Sequence, residues 1–294
     1  MSDINIAVDS GTSKRLLTSG KYCDRDIVVT ATGGGGGDEP IPQDGKTRIF
    51  ISLDDVNKTP LLGVCPNGTV TIDWGDGTEN STMSGTSTTT LVQVPHEYAK
   101  GGDYVIALSV DGQFSFSPPS STSANLVMSI LRSVDGYDRN YPYFNAIKKL
   151  IIGNGISKIE ERAFSSCVSV ESVEIPGGVK MISYNAFYGG KSLKEVILHD
   201  GVERILDSAF SDCYRLGKVV FPASINYIGA KAFANCYGVR IYDFSRHKTI
   251  PQLPMSTTFD RIVSDTQILV PAVLYDSWVA ASKWSMLASY IVPV

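Results

Sequence analysis

Three histidines, five cysteines and a scatter of carboxylates are the side chains of this 294-residue chain that could do chemistry. His96, His199 and His247 stand in unlike contexts, and none lies near a serine or cysteine in a nucleophile motif, so no triad is legible. His96 reads as a structural partner of a turn and His199 as a solvated turn residue. Cys23, Cys65, Cys167, Cys213 and Cys236 form an odd set with no close CxxC pair, which argues against zinc and against a full disulfide framework. They read as reduced, buried thiols. Asp73 and Asp76 could be calcium ligands, but the spaced donors of an EF-hand are missing, and stabilisation of a tight turn explains both. Glu160 and Glu161 are adjacent acids on a solvated turn, whereas a glycosidase needs two acids facing each other across a cleft. The run Gly33 to Gly37 has no following lysine and no strand-to-helix setting, so it is no phosphate cradle. The expectation is a non-enzymatic protein without catalytic residues, cofactor or metal.

The elements that must position any binding residues come from pattern. Apolar residues make up 43% and charged residues 19% of the chain at a net charge of −4, which excludes a disordered chain and a basic nucleic-acid binder. Glycine at 27, proline at 14 and tyrosine at 14 fit turn-rich β modules better than a helical bundle. The N-terminus lacks the basic start and apolar core of a secretory signal, and no run of about 18 apolar residues could cross a bilayer. The chain reads as soluble and unprocessed, with no membrane insertion.

One period organises the C-terminal half. Ala163-Phe164, Ala186-Phe187, Ala209-Phe210 and Ala232-Phe233 recur every 23 residues. Upstream apolar columns keep the same interval, as in Leu150, Val173, Val196 and Val219, or Ile159, Ile182, Ile205 and Ile228. Each unit reads as a short strand, a turn often carrying proline (Pro176, Pro222), a second extended piece and a compact loop around Ala-Phe. Such a unit cannot bury both sides alone, so units must stack into a solenoid with a continuous core. The period lies in the leucine-rich-repeat range of about 20–29 residues. With its AF-x-x-C segment, the stretch 147–245 resembles the BspA-type leucine-rich repeats of bacterial surface proteins and bacteriophage tail or adhesion proteins. Gly189-Gly190 departs from the cysteine position in one coil. Cys167, Cys213 and Cys236 should point inward as small apolar fillers, with Cys213 and Cys236 stacked closely enough that a disulfide is a minor alternative.

The last segment, 246–294, should cap the open end, with Leu274, Trp278 and Ala281 at helical spacing behind Pro271. Its YDxWxAAxxW string resembles the ending common to such arrays.

Ahead of the repeats, Val70, Ile72 and Trp74 alternate with Thr69, Thr71 and Asp73, and Tyr104, Ile106, Leu108 and Val110 alternate likewise. Between them WGDGT supplies a tight turn. VTIDWGDGT followed by HEYAKGGDYVIALSV resembles the polycystic-kidney-disease (PKD) domain, which implies an immunoglobulin-like β-sandwich over 47–117 serving as spacer or interaction module. Residues 118–146 then connect to and begin the solenoid. At the other end, 33–46 is a glycine-rich hinge. Residues 1–32, through LLTSGKYCDRDI, resemble the openings of phage tail-associated proteins, which implies attachment to tail or particle proteins; a terminus that merely packs on the sandwich is the alternative.

The fold class expected is therefore mainly β: a PKD-like sandwich, a leucine-rich-repeat solenoid and a C-terminal helical cap. Two surfaces are candidates for recognition. One is a sheet face of outward residues, Ser172, Glu174, Glu195, Ile197, Lys218, Val220, Ile241 and Asp243. The other is aromatic: Tyr137, Tyr141 and Tyr143 before the first full repeat, with Tyr188, Tyr214 and Tyr237 near the Ala-Phe loops. Packing between coils is the simpler role for any one of these tyrosines, and binding is the role of the cluster. The resemblances imply a phage or prophage tail protein located on the virion that recognises a protein or glycan receptor on a bacterium. A bacterial cell-surface adhesin of the same repeat family is the alternative.

Overall fold

The two alternating runs become paired strands because their apolar sides share one interior. In a computed structural model describing residues 44–116, 131–133 and 145–294, β1 is Thr47–Leu53, β2 Pro60–Asp73, β3 Ser81–Thr86, β4 Val92–Pro95, β5 Gly102–Ser115 and β6 Leu131–Ser133. The segment 1–43, including Cys23 and the glycine run, lies outside the described residues, as do Tyr137, Tyr141 and Tyr143. β2 and β5 are antiparallel with Val70 opposite Val110 and Ile72 opposite Leu108. β2 is long enough to serve two ladders: its first residues pair with β4 and β6, its later ones with β5 and β3.

The repeats begin with β7 (Ile147–Ile151) and β8 (Lys158–Ile159). Their first strands continue as β9 (Ser172–Ile175) and β11 (Glu195–Leu198), then β13 (Val219–Val220) and β15 (Ile241–Asp243). Their second strands are β10 (Met181–Ile182), β12 (Arg204–Ile205) and β14 (Tyr227–Ile228). Within each ladder they pair in parallel with the neighbouring coil, for example Val173 with Val196 and Ile182 with Ile205, but β11 and β13 are not paired, and β13 opens a separate sheet with β15. The Ala-Phe loops add a third ladder: the N–H groups of Arg162, Phe164 and Ser166 donate to the carbonyls of Tyr184, Ala186 and Tyr188, and later coils repeat the pattern. Each coil reaches this geometry through two left-handed residues, Arg162, Asn185, Ser208 and Lys231 in one column and Ser166, Gly189, Asp212 and Asn235 in another. Lysine and arginine at such positions are strained, and the ladder over-determines them.

Inside, Phe164, Phe187, Phe210 and Phe233 form a single file of near-parallel rings at centroid spacings of 5.2, 5.1 and 5.4 Å. Phe259 extends it by 5.9 Å although it stands outside the 23-residue period.

The sheet runs across the expected boundary between module and repeats. β1 pairs antiparallel with β7, so the order is β11-β9-β7-β1-β5-β2-β3. Gly153 donates its buried N–H to Thr47 Oγ1 at 2.9 Å, and Phe114 donates to the Gly155 carbonyl at 3.0 Å. Asp44–Val294 is one compact unit.

At the far end, helix is only part of the cover. β16 (Gln267–Val270) adds in parallel to β15 and β17 (Ile291–Pro293) to β16, with one six-residue helix, α1 (Tyr275–Ala280), between them. Trp278 is buried, but α1 ends before Ala281, and Leu274 and Ala281 are only half-buried. The outer edge of β17 is blunted. Val294 donates inward to Val270, so alternation turns the nitrogens of Ile291 and Pro293 outward; Ile291 is bonded to Ala288, and proline has no proton to give.

Candidate recognition surface

The outward side chains of the long sheet lie in two rows because the pleat alternates and the coils stack in register. One row runs Val105, Phe50, Lys149, Ser172, Glu195, and the period carries it to Lys218 and Ile241. The other runs Ala107, Arg48, Ile151, Glu174, Ile197, then Val220 and Asp243. The surface therefore crosses from module to repeats, where Lys149 Nζ sits 5.5 Å from the centre of the Phe50 ring. Of the expected face, Glu195, Ile197, Lys218 and Val220 are exposed, and Ser172, Glu174 and Ile241 are half-buried. Asp243 is a correction: it is 9% exposed, is held by Lys218 Nζ at 2.8 Å and accepts the Ser245 N–H. Burial pushes its carboxyl up, but the Lys218 and Ser245 hydrogen bonds outweigh this and leave it below its ordinary value.

Charges around the face are largely paired within the molecule. Lys194 meets Glu171 at 2.8 Å, Arg240 meets Asp265 at 2.8 Å, and His199 Nε2 lies 2.8 Å from Glu174 Oε1. Beside the exposed Glu195 and Lys218 the face leaves two apolar side chains open, Ile197 at 40% and Val220 at 39%.

On the Ala-Phe side, Tyr188, Tyr214 and Tyr237 are exposed. They do not share one column: Tyr214 and Tyr237 are one period apart and stack at 5.7 Å, while Tyr188 follows its Ala-Phe pair directly. Asp212 joins them, since its hydrogen bond to Tyr188 and its charge near Tyr214 push both phenols up. Tyr237 donates to Asn235 Oδ1 at 3.2 Å, and Asn235 in turn donates to Asp212. With their faces on each other, Tyr214 and Tyr237 present edges and hydroxyls.

Two aromatic features were not read from the sequence: Tyr184, 47% exposed, and Arg204 stacked 4.8 Å over Tyr227. The signal for the second was the 23-residue column of outward positions on the second strands, Met181, Arg204 and Tyr227, to which Tyr184 does not belong.

The other chemical candidates resolve into structure. His96 stacks on Trp74 at 4.4 Å, and its Nε2 lies 2.8 Å from Asp76 Oδ2. Asp73 accepts from Gly75 and Asp76 from Thr78, both as turn ties. Glu160 is not solvated as expected but 7% exposed, with Lys158 Nζ at 2.8 Å. Cys167, Cys213 and Cys236 are buried free thiols; Cys213 and Cys236 donate to the carbonyls of Phe187 and Phe210. Burial pushes Cys167 and Cys236 up to about 12, so neither is a nucleophile at neutral pH. Gly190 stands at the cysteine position of its coil, where a Cβ would lie 3.2 Å from the Phe187 carbonyl and 3.4 Å from Cys213 Sγ.

No curated protein matches this chain. Among solved structures it is similar to a leucine-rich-repeat protein of T. pallidum, at 26% identity over 42% of this chain and 59% of that one, TM-score 0.36. It is also similar to a leucine-rich-repeat protein of Bacteroides ovatus, at 21% identity over 43% of this chain and 33% of that one, TM-score 0.30. A third is a leucine-rich cell surface protein of Faecalibacterium prausnitzii, at 28% identity over 31% of this chain and 30% of that one, TM-score 0.25. The chain thus spans less than two thirds of each. Residues 138–254 match, in six copies, the family model described as BspA type leucine-rich repeat region, and over that stretch the chain is similar to BspA-type repeats.

Proposed function

We infer that this is a non-enzymatic adhesion or receptor-binding protein whose repeats and β module together present a recognition surface. The observation that carries the reading is the pair of outward rows that runs on one sheet from Phe50 to Ile197 and is continued by the 23-residue period to Val220, with much of the surrounding charge paired within the molecule and with Ile197 and Val220 exposed. Such a face gains its contact energy from shape and buried apolar area, with tyrosine edges on the neighbouring side as polar anchors. The setting we favour is a bacteriophage or prophage tail, with residues 1–32 attaching to tail or particle proteins and a PKD-like module beside the repeats. The same surface would serve a bacterial adhesin, and the receptor is a bacterial surface protein or glycan in either case.

The test is binding of the whole chain to envelope fractions of candidate host cells and to a glycan array. Changing Ile197→Glu with Val220→Lys should abolish capture on the sheet face, and Tyr214→Ala with Tyr237→Ala should weaken it on the other. Undiminished capture by both double variants would overturn the reading.

A further inference from the structure

The cover over the last coil contains a polar ring that its packing leaves unsatisfied. His247 follows β15 and is 3% exposed. It packs against Phe244 at 5.1 Å and edge-on to Trp278 of α1 at 6.2 Å. Neither ring nitrogen has a hydrogen-bond partner, and neither has Trp278 Nε1. A neutral imidazole survives in such an aromatic site at modest cost. An imidazolium there would have to bury a charge and two unpaired donors.

The charged neighbours do not relieve it. On its own segment Asp243 is committed to Lys218 at 2.8 Å and Arg246 to Asp200 at 2.9 Å, while Lys248 is exposed. On α1, Asp276 is exposed, and the turn from Pro222 to Ile225 brings no titratable side chain. Burial holds the His247 pKa below the usual histidine value of 6.5; the carbonyls of Phe244 and Ile225, near the ring but outside hydrogen-bond geometry, and Asp243 pull weakly the other way. Above the ordinary value the ring is neutral both docked and undocked, and the cover keeps its full strength. As pH falls through that value the undocked ring takes up a proton that the docked ring refuses, so docking weakens until the docked ring itself titrates.

We propose that His247 is the latch of an acid-released cover: protonation of its ring drives the segment from His247 to Val294 off the last coil and bares the edge of β15 with Phe244 and Tyr242 behind it. Hydrogen exchange of the whole chain, compared at about pH 7.5 and about pH 5 after correction for intrinsic rates, tests this. In the wild type, amides of β16 and β17 should lose protection severalfold in acid while those of β2 and β5 keep theirs. His247→Phe, which fills the site without a titratable nitrogen, should keep cover protection at both values. Retained protection in the wild type, or equal loss in the variant, would overturn the proposal. Should His247→Phe not fold, the wild-type ring is titrated by NMR: a midpoint below that of unfolded histidine supports the latch, and one at or above it removes it.

Discussion

Phe116 meets Phe164 edge to face at a centroid distance of 4.9 Å, so the last aromatic of the β module closes the first position of the phenylalanine file. At the other end Phe259 closes the same file and is itself covered by Trp284 at 5.9 Å. The array is thus plugged at both ends by aromatics that the repeat does not supply, and the module is the N-terminal cap of the solenoid as well as its neighbour.

This relationship predicts coupled unfolding. Phe116→Ala removes a ring that is 2% exposed and should cost about 3 kcal/mol. In urea, far-UV circular dichroism and hydrogen exchange of β2 should report one common midpoint for the wild type and an earlier one for the variant. Two well-separated wild-type transitions would contradict the shared core.

The left-handed columns predict a stabilising change. Lys231 is exposed with φ at 55°, and Lys231→Gly should gain about 0.5–1 kcal/mol by relieving that backbone. Gly177→Ala should go the other way. Its Cβ would stand 1.8 Å from the Asp200 carbonyl of the next coil, and the backbone shift needed should cost about 2 kcal/mol. Thermal melts of the two variants on either side of the wild type would bear out the assignment.

Asp76 carries a pH signature. Burial raises its pKa, but hydrogen bonds from Thr78 and His96 outweigh this and hold it below the ordinary 3.8. The stabilisation is then complete above the unfolded value and lost as pH falls through the folded one. Asp76→Ala should cost about 2 kcal/mol at neutral pH, and the gap to wild type should close in strong acid. A gap independent of pH would place the effect in packing.

On the recognition surface, Tyr214→Ala and Tyr237→Ala should each weaken receptor capture by about 1–2 kcal/mol while leaving the melting temperature nearly unchanged, since both rings are exposed. A large drop in stability would make them packing residues.

The 23-residue period by itself determined that the Ala-Phe pairs stack, which side chains enter the core and which strand positions face out. Those are local consequences of a repeated pattern, legible because each coil meets only its neighbours. The alternation around WGDGT likewise determined β2, β5 and the His96 contact with the turn. The tertiary structure decided what no period encodes. β1 joins β7 across about a hundred residues of chain, and Phe259 enters the file out of step, because each fills an end where a repeat has no neighbouring coil. Left-handed Arg162 and Lys231 were illegible because their residue types disfavour the conformation that the inter-coil hydrogen bonds impose. Asp243 was read as open surface from its strand position, whereas Lys218 from the preceding coil draws it into an ion pair that only stacking creates.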